Sequence, residues 1–254
     1  MDYIKEKLYQ QLAIDYCCQI SDIKDDKNHF MEYKKIEGRR QFEEADDCVL
    51  KVIAVNGKLI FIGKKSVVDV CQKQFSNKSG NWFMDVVNFR KLDEILKKEG
   101  YRIKTVHPFF IPKDDHVYEI NGVEIKKYNQ EDIMQFKDDD RFDEAFCFSE
   151  ASPDVLAVAA IIDNEIVGMA GASADSPSFW QIGINVNKNF EGRYIATGLV
   201  SILKADILQK GFVPYYGTSF SNLASQHVAA RAGFEVAWVE LITEKNTADD
   251  VYTG

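Results

Sequence analysis

From Asp154 onward the chain switches between two kinds of apolar pattern, and the order of those switches limits its fold more than any other feature. DVLAVAAIID and EIVGMAGASA are β-type runs joined at Asp163-Asn164, which reads as a hairpin with a short polar turn. FWQIGINVN supplies a third strand. Ile195, Leu199, Leu203 and Ile207 then recur at four-residue steps, which stacks them on one face of a helix, and Gly211 stops it. FVPYYGTSF is the next strand, SNLASQHVAARAG the next helix, and FEVAWVELIT closes the set. Three antiparallel strands followed by α-β-α-β predict an α/β (α+β) fold, with a mixed, mostly antiparallel sheet and helices on both faces.

The residues ahead of this pattern read as a smaller α/β domain. DYIKEKLYQQLAIDYCCQI has helical spacing in Ile4, Leu8, Leu12 and Ile14. DCVLKVIAVNGKLIFIGKK reads as a hairpin, because Asn56-Gly57 favours a tight two-residue turn between β-rich runs. VNFRKLDEILKKEG is a helix stopped at Gly100, and YRIKTVHPFFIP a short strand ended by prolines. The polar stretch PKDDH, Pro112 to His116, has nothing to bury and marks the expected boundary. This divides the chain into an N-terminal domain, 1–115, and a second domain, 116–254. The second opens with VYEINGVEIKKY as a strand, followed by an acidic helical or irregular segment up to about Cys147.

A net charge of −9 argues against a protein that coats nucleic acid or lies on an anionic membrane. No apolar run approaches the ~20 residues of a membrane helix, and MDYIKEKLYQ carries acids and bases from its first residues, unlike a signal peptide. Cys17, Cys18, Cys48, Cys71 and Cys147 are odd in number and form no CxxC, so reduced thiols and a cytoplasmic location are expected. His29, His107, His116 and His227 show no ligand-like spacing, and no metal is expected. Neither a Walker A loop, GxGxxG nor GxSxG is present.

Between the third strand and the helix lies NFEGRYIATGLV. A glycine turn feeding a helix leaves N–H groups unpaired at the helix start, a geometry that attracts phosphate. One glycine is a weak signal, and an ordinary helix start stands beside it. The order of the surrounding elements is more specific. Strand QIGINVN, turn KNFEGRYIA, helix, strand VPYYGTS, helix from SNLAS, and then Gly233-Phe234 with a strand resemble the Gcn5-related N-acetyltransferase (GNAT) family over roughly Val117 to Thr243. The longer stretches PDVLAVAAIIDNEIVGMAGASADSPSFWQIGINV and YYGTSFSNLASQHVAARAGFEVAWVELIT resemble its two-domain bacterial branch with an extra N-terminal domain.

The resemblance implies acetyl-CoA as cofactor and transfer of its acetyl group to the amine of a small-molecule acceptor. The family's motif Arg/Gln-x-x-Gly-x-Gly/Ala falls on Glu191 to Ala196, with Glu191 in place of Arg or Gln and Tyr194 in place of the first glycine. It implies that Ile184 and Val186 pair with the cofactor's pantetheine arm through their backbone amides. Gly192, Arg193, Tyr194, Ile195, Ala196 and Thr197 would hold the pyrophosphate, and Asn222 and Ser225 would contact the arm. Asn222 reads equally as a helix cap. A tyrosine general acid often stands seven residues beyond that Asn in the family, and here the position is Ala229.

Amine attack on a thioester needs a base for the ammonium and donors for the developing charges. Glu240, Asp175 and His227 are the candidate bases, and Tyr215, Tyr216 and Ser219 the candidate donors. Tyr215 and Tyr216 point to opposite faces of their strand, so at most one faces the site. A degenerate acyl-CoA sensor without turnover is the alternative expectation, motivated by Glu191, Tyr194 and Ala229. Three roles are open to the N-terminal domain: walling the acceptor pocket, a homodimer contact, or a ligand of its own.

Overall fold

The computed structural model describes residues 2–40 and 49–246, and Cys48 lies outside the described residues. Its strands begin with β1 (His29–Glu32), β2 (Leu50–Val55), β3 (Lys58–Gly63), β4 (Tyr101–Pro112) and β5 (Glu124–Asn129). They continue with β6 (Asp154–Ile162), β7 (Glu165–Ala174), β8 (Phe179–Val186), β9 (Val213–Gly217) and β10 (Phe234–Lys245). The helices are α1 (Asp2–Asp15), α2 (Ile20–Lys24), α3 (Lys65–Phe75), α4 (Val86–Lys97), α5 (Gln130–Ile133), α6 (Ile195–Gln209) and α7 (Leu223–Arg231). None of the described helices is long and apolar enough to cross a membrane.

Two compact units divide these elements. One comprises Met1–Gln11, Gly38–Glu43 and Phe109–Val236; the other comprises Leu12–Glu37, Glu44–Pro108 and Ala237–Gly254. The change of unit at Pro108/Phe109 falls inside β4, ahead of the polar stretch Pro112 to His116. The second change, at Val236/Ala237, falls inside β10. No composition shift marks either point.

In the first unit the strand order is β4-β9-β8-β7-β6-β5. All pairs are antiparallel except β8 with β9, which is parallel. Ile195, Leu199, Leu203 and Ile207 of α6 are all buried, together with Val158, Ala170 and Ile182 of the sheet. Each such aliphatic side chain is worth roughly 1.5–3 kcal/mol of transfer free energy. Ala229 of α7 joins the same cluster. On the other face, Phe136, Phe142, Ala145 and Phe146 pack with Ala157, Ala159 and Met169. The expected mixed, mostly antiparallel sheet with helices on both faces is therefore present.

The second unit carries β1-β3-β2-β10, with β1 parallel to β3 and the other pairs antiparallel. Asn56 and Gly57 both take positive φ, 51° and 79°, as a tight hairpin turn between β2 and β3 requires. Helix α3 was not evident in the sequence, although it buries Val67, Val68, Cys71 and Phe75. The predicted strand from Val117 is shorter than expected, starting only at Glu124. Asn121-Gly122 turns the chain, with Gly122 at φ 74°, and the Tyr118 N–H donates instead to Ser201 Oγ of α6 at 2.9 Å.

Candidate active site

β8 ends at Val186, and Asn187 caps the short turn that follows by accepting from the Asn189 N–H at 3.0 Å. Two left-handed residues then aim the chain into α6: Gly192 at φ 75° and Tyr194 at φ 60°. The Gly198 N–H to Tyr194 carbonyl bond, 3.0 Å, is the first rung of the helix. The N–H groups of Ile195, Ala196 and Thr197 therefore have no helical acceptor, and the helix dipole adds to their positive potential. A Cβ added at Gly192 would meet nothing within 4 Å, so the turn is open at that residue.

Glu191 is exposed, with its charge directed to solvent. The Arg193 guanidinium lies 4.9 Å from the Phe190 ring centroid. The Tyr194 ring lies 5.7 Å from that of Tyr118, and the Arg231 guanidinium 5.5 Å from the Tyr194 centroid. Two cations thus stand near a turn whose own acid faces water. A left-handed tyrosine costs roughly 1–2 kcal/mol, and its ring contacts help hold it there.

The edge of β8 is open beside this turn. β8 stays paired with β7 as far as Val186, opposite Gly168, but its ladder with β9 ends at Ile182 opposite Tyr216. The backbone of Ile184 and Val186 thus runs beyond the end of the β9 ladder. Tyr216, buried on β9, places its hydroxyl 2.7 Å from Ser225 Oγ of α7. Burial pushes the Tyr216 hydroxyl above its ordinary value; the Ser225 hydrogen bond opposes this and the Glu144 charge adds to it. Tyr216 is therefore protonated at neutral pH. Asn222 is the cap of α7, accepting from the Ser225 N–H at 3.0 Å.

Glu144 escaped the sequence reading, which placed it in an acidic segment without a role. Asn185 of β8 accepts from the N–H groups of Glu144 at 3.0 Å and Ala145 at 2.7 Å, and donates to Asp143 Oδ1 at 2.9 Å. The Glu144 carbonyl lies 1.8 Å from where a Cβ on Gly183 would sit, so only glycine admits this close approach. Nothing in the periodicity of either segment signals a contact between residues about forty apart.

Tyr215 faces away from Tyr216, as strand alternation requires. Its hydroxyl donates to Asp175 and lies 2.9 Å from Gln181 Oε1. Ser173 Oγ also donates to Asp175, at 2.7 Å. Burial pushes the Asp175 carboxyl up to about 6, against the opposing pull of Tyr215, Ser173 and the Arg40 charge. A carboxyl raised in the folded state holds its proton there while the unfolded chain releases it. The contribution of Asp175 to stability is therefore greatest below the ordinary value of 3.8 and falls as pH rises toward about 6, by on the order of 3 kcal/mol. Thermal unfolding from pH 4 to 7 should show this decline, and Asp175→Asn should flatten it. An equal decline in the variant would assign it to another group.

The other candidate bases are Glu240 and His227. Glu240 belongs to the second unit and is buried, accepting from Trp238 Nε1 at 3.1 Å. In the same unit, burial lowers the His107 imidazole and the Glu240 charge opposes that shift. His227 is exposed on α7. The structure thus brings together Tyr216 and Ser225, sets Asp175 with Tyr215, and sets Glu240 with Trp238.

Asp22, Asp25 and His29 of the second unit also converge, with ligand atoms within 4.8 Å of one another, a grouping that sequence spacing did not reveal. The buried Lys58 ammonium already stands 2.8 Å from Asp25 Oδ1. Its hydrogen bond, followed by that of His29, holds the Asp25 carboxyl well below the usual carboxylate range. A lysine thus fills the cationic role in this group.

The family described as Acetyltransferase (GNAT) family matches residues 122–234, from just before β5 to the first residue of β10. This segment belongs to the GNAT family. The GNAT segment is accompanied by an extra N-terminal region. Among solved structures, a GCN5-related N-acetyltransferase-like protein from Streptococcus suis is 11% identical, with 83% of this chain and 89% of that chain covered and a TM-score of 0.48. A GCN5-related N-acetyltransferase from Kribbella flavida is 13% identical, with 62% and 64% covered and a TM-score of 0.48. No curated protein sequence matches the chain.

Proposed function

We propose that the GNAT segment is an acetyl-CoA-dependent N-acetyltransferase that moves an acetyl group to the amine of a small molecule by direct attack on the thioester. One observation carries this reading: the β8 edge opens at Gly183, directly ahead of a turn whose helix start has free N–H donors. The residues fit the cofactor. Ile184 and Val186 offer backbone amides to an extended arm, while Gly192 to Thr197 offer N–H groups and open space to a pyrophosphate. Bound acetyl-CoA would supply the electrophilic carbonyl. Ser225 and Tyr216 are the polar groups beside the arm, since the Asn222 oxygen is engaged in capping α7.

Tyr216 takes the part of proton donor. Ala229, where family members often carry a tyrosine, is buried one helical turn beyond Ser225. The Tyr216 hydroxyl reaches Ser225 from the neighbouring strand and so brings a phenol to the same helix face. Tyr216→Phe should lower kcat about 100-fold and leave acetyl-CoA affinity within about twofold. Loss of affinity with unchanged kcat would make Tyr216 a binding residue instead. Thiol release from acetyl-CoA across a panel of primary amines tests the reading as a whole.

The second reading is an acyl-CoA sensor without turnover, favoured by Glu191, Tyr194 and Ala229 at positions where the family's motif differs. Cofactor binding with no amine accepted would support it. Turnover of any primary amine above the uncatalysed rate would end it.

A further inference from the structure

The charges of the second unit are unevenly spread. Residues 58–104 hold eleven Lys and Arg against five Asp and Glu, whereas the whole chain holds 31 against 40. Salt limits the reach of each exposed charge to roughly 8 Å, so a partner at this segment meets the local excess and not the net −9. Lys64, Lys65 and Arg102 are already paired, with Glu99, Asp69 and Glu244. Lys78, Arg90, Lys91, Lys97 and Lys98 are exposed and form no ion pair among the described residues.

The packing of α4 decides where four of these cations point. It buries Asn88, Leu92, Ile95 and Leu96, which turns Arg90, Lys91, Lys97 and Lys98 outward. On this helix only Glu94 opposes them directly, since Asp93 accepts from the Ile103 N–H at 3.1 Å. Val86 and Val87 begin the helix on the same outer face, 62% and 59% exposed, and Trp82 stands in the turn before them, 73% exposed. That turn is fixed. Asn88 Nδ2 donates to the carbonyls of Trp82 at 3.1 Å and Phe83 at 3.0 Å, and the Phe83 ring is buried against Phe75. The indole is therefore displayed by an anchored backbone.

These three apolar side chains project as a knob instead of lining a groove. A knob of Trp and Val flanked by lysines and an arginine matches a surface that is anionic outside and apolar just beneath. A single-stranded nucleic acid would use the cations and the indole, but valines offer no stacking face to bases. We propose that the knob at residues 82–87 and the outer face of α4 dock on an anionic lipid bilayer. Trp82, Val86 and Val87 enter the boundary between headgroups and acyl chains, and the cations meet lipid phosphates. This surface is independent of the acetyl-CoA reading.

The test uses the full chain with vesicles of equimolar phosphatidylcholine and phosphatidylglycerol, and with vesicles of phosphatidylcholine alone. Trp180 and Trp238 are buried, so a change in indole emission on binding reports Trp82. Anionic vesicles should shift that emission to the blue and carry the chain down on sedimentation, with affinity about tenfold or more above that for neutral vesicles. High salt should release it. Trp82→Ala should abolish the blue shift, and the double variant Arg90→Glu with Lys91→Glu should weaken co-sedimentation about tenfold or more. Both change exposed side chains, so each should unfold at the wild-type Tm. Absence of binding to anionic vesicles, or equal binding to neutral ones, would overturn the inference. Undiminished co-sedimentation of the double variant would also overturn it. A blue shift with polyuridylate but not with vesicles would assign the face to nucleic acid, and dimerisation that buries Trp82 would assign it to a second copy; either would overturn the inference.

Discussion

Gly192→Trp is expected to weaken acetyl-CoA binding about 100-fold while the chain remains folded. An added Cβ at Gly192 meets nothing within 4 Å, so the first side-chain atom meets no clash in the free protein. The folding cost comes from the backbone, because φ 75° is a left-handed conformation that L residues adopt at roughly 1–2 kcal/mol. For a chain of this size that lowers Tm by about 2–8 °C. The binding cost is larger, because the indole would occupy the space before the N–H groups of Ile195 to Thr197. Loss of one or two charge-assisted hydrogen bonds, each worth roughly 1.5–3 kcal/mol, accounts for the expected factor. Unchanged affinity by titration would mean that phosphates are held elsewhere.

Gly183→Ala is expected to have the largest effect on turnover of any single methyl group added to the first unit. The new Cβ would stand 1.8 Å from the Glu144 carbonyl oxygen and 2.9 Å from its carbonyl carbon. Both are backbone atoms, so no rotamer change relieves the clash. The segment must lift, which breaks the Asn185 contacts to the Glu144 and Ala145 N–H groups and disturbs the packing of Phe146. Overpacking and lost hydrogen bonds together cost about 2–4 kcal/mol, or about 4–16 °C in Tm. Displacement of this segment beside β8 should reduce kcat/KM for amines more than 100-fold, with acetyl-CoA affinity within about threefold because the α6 turn is untouched. A wild-type Tm in this variant would contradict the packing, and wild-type turnover would contradict the role of the segment.

The sequence was most legible where local rules act alone. The four-residue recurrence of Ile195, Leu199, Leu203 and Ile207 yields α6, and Asn56-Gly57 yields the β2–β3 turn, because each is decided by the chain's own geometry within a few residues. The glycine turn at Gly192 was legible as a helix start, and the order of elements around it led to the family. Three features were not legible. Asp175 was named as a candidate base, but its pairing with Tyr215 was not legible, because that phenol lies forty residues downstream. Glu144 lay in a segment read only as acidic and helical or irregular, because its contact with β8 depends on the missing side chain of Gly183 in another element. The changes of unit inside β4 and β10 leave no trace in composition, since a strand keeps the same alternating pattern on either side. These features are tertiary, and periodicity carries no record of them.

The central claim is that the open β8 edge and the start of α6 hold an acyl-CoA. Calorimetric titration of acetyl-CoA into the full chain at pH 7 measures this without knowledge of the acceptor. The account predicts saturable binding at one site per chain, with a Kd on the order of 1–100 μM. No detectable binding at millimolar acetyl-CoA would contradict it.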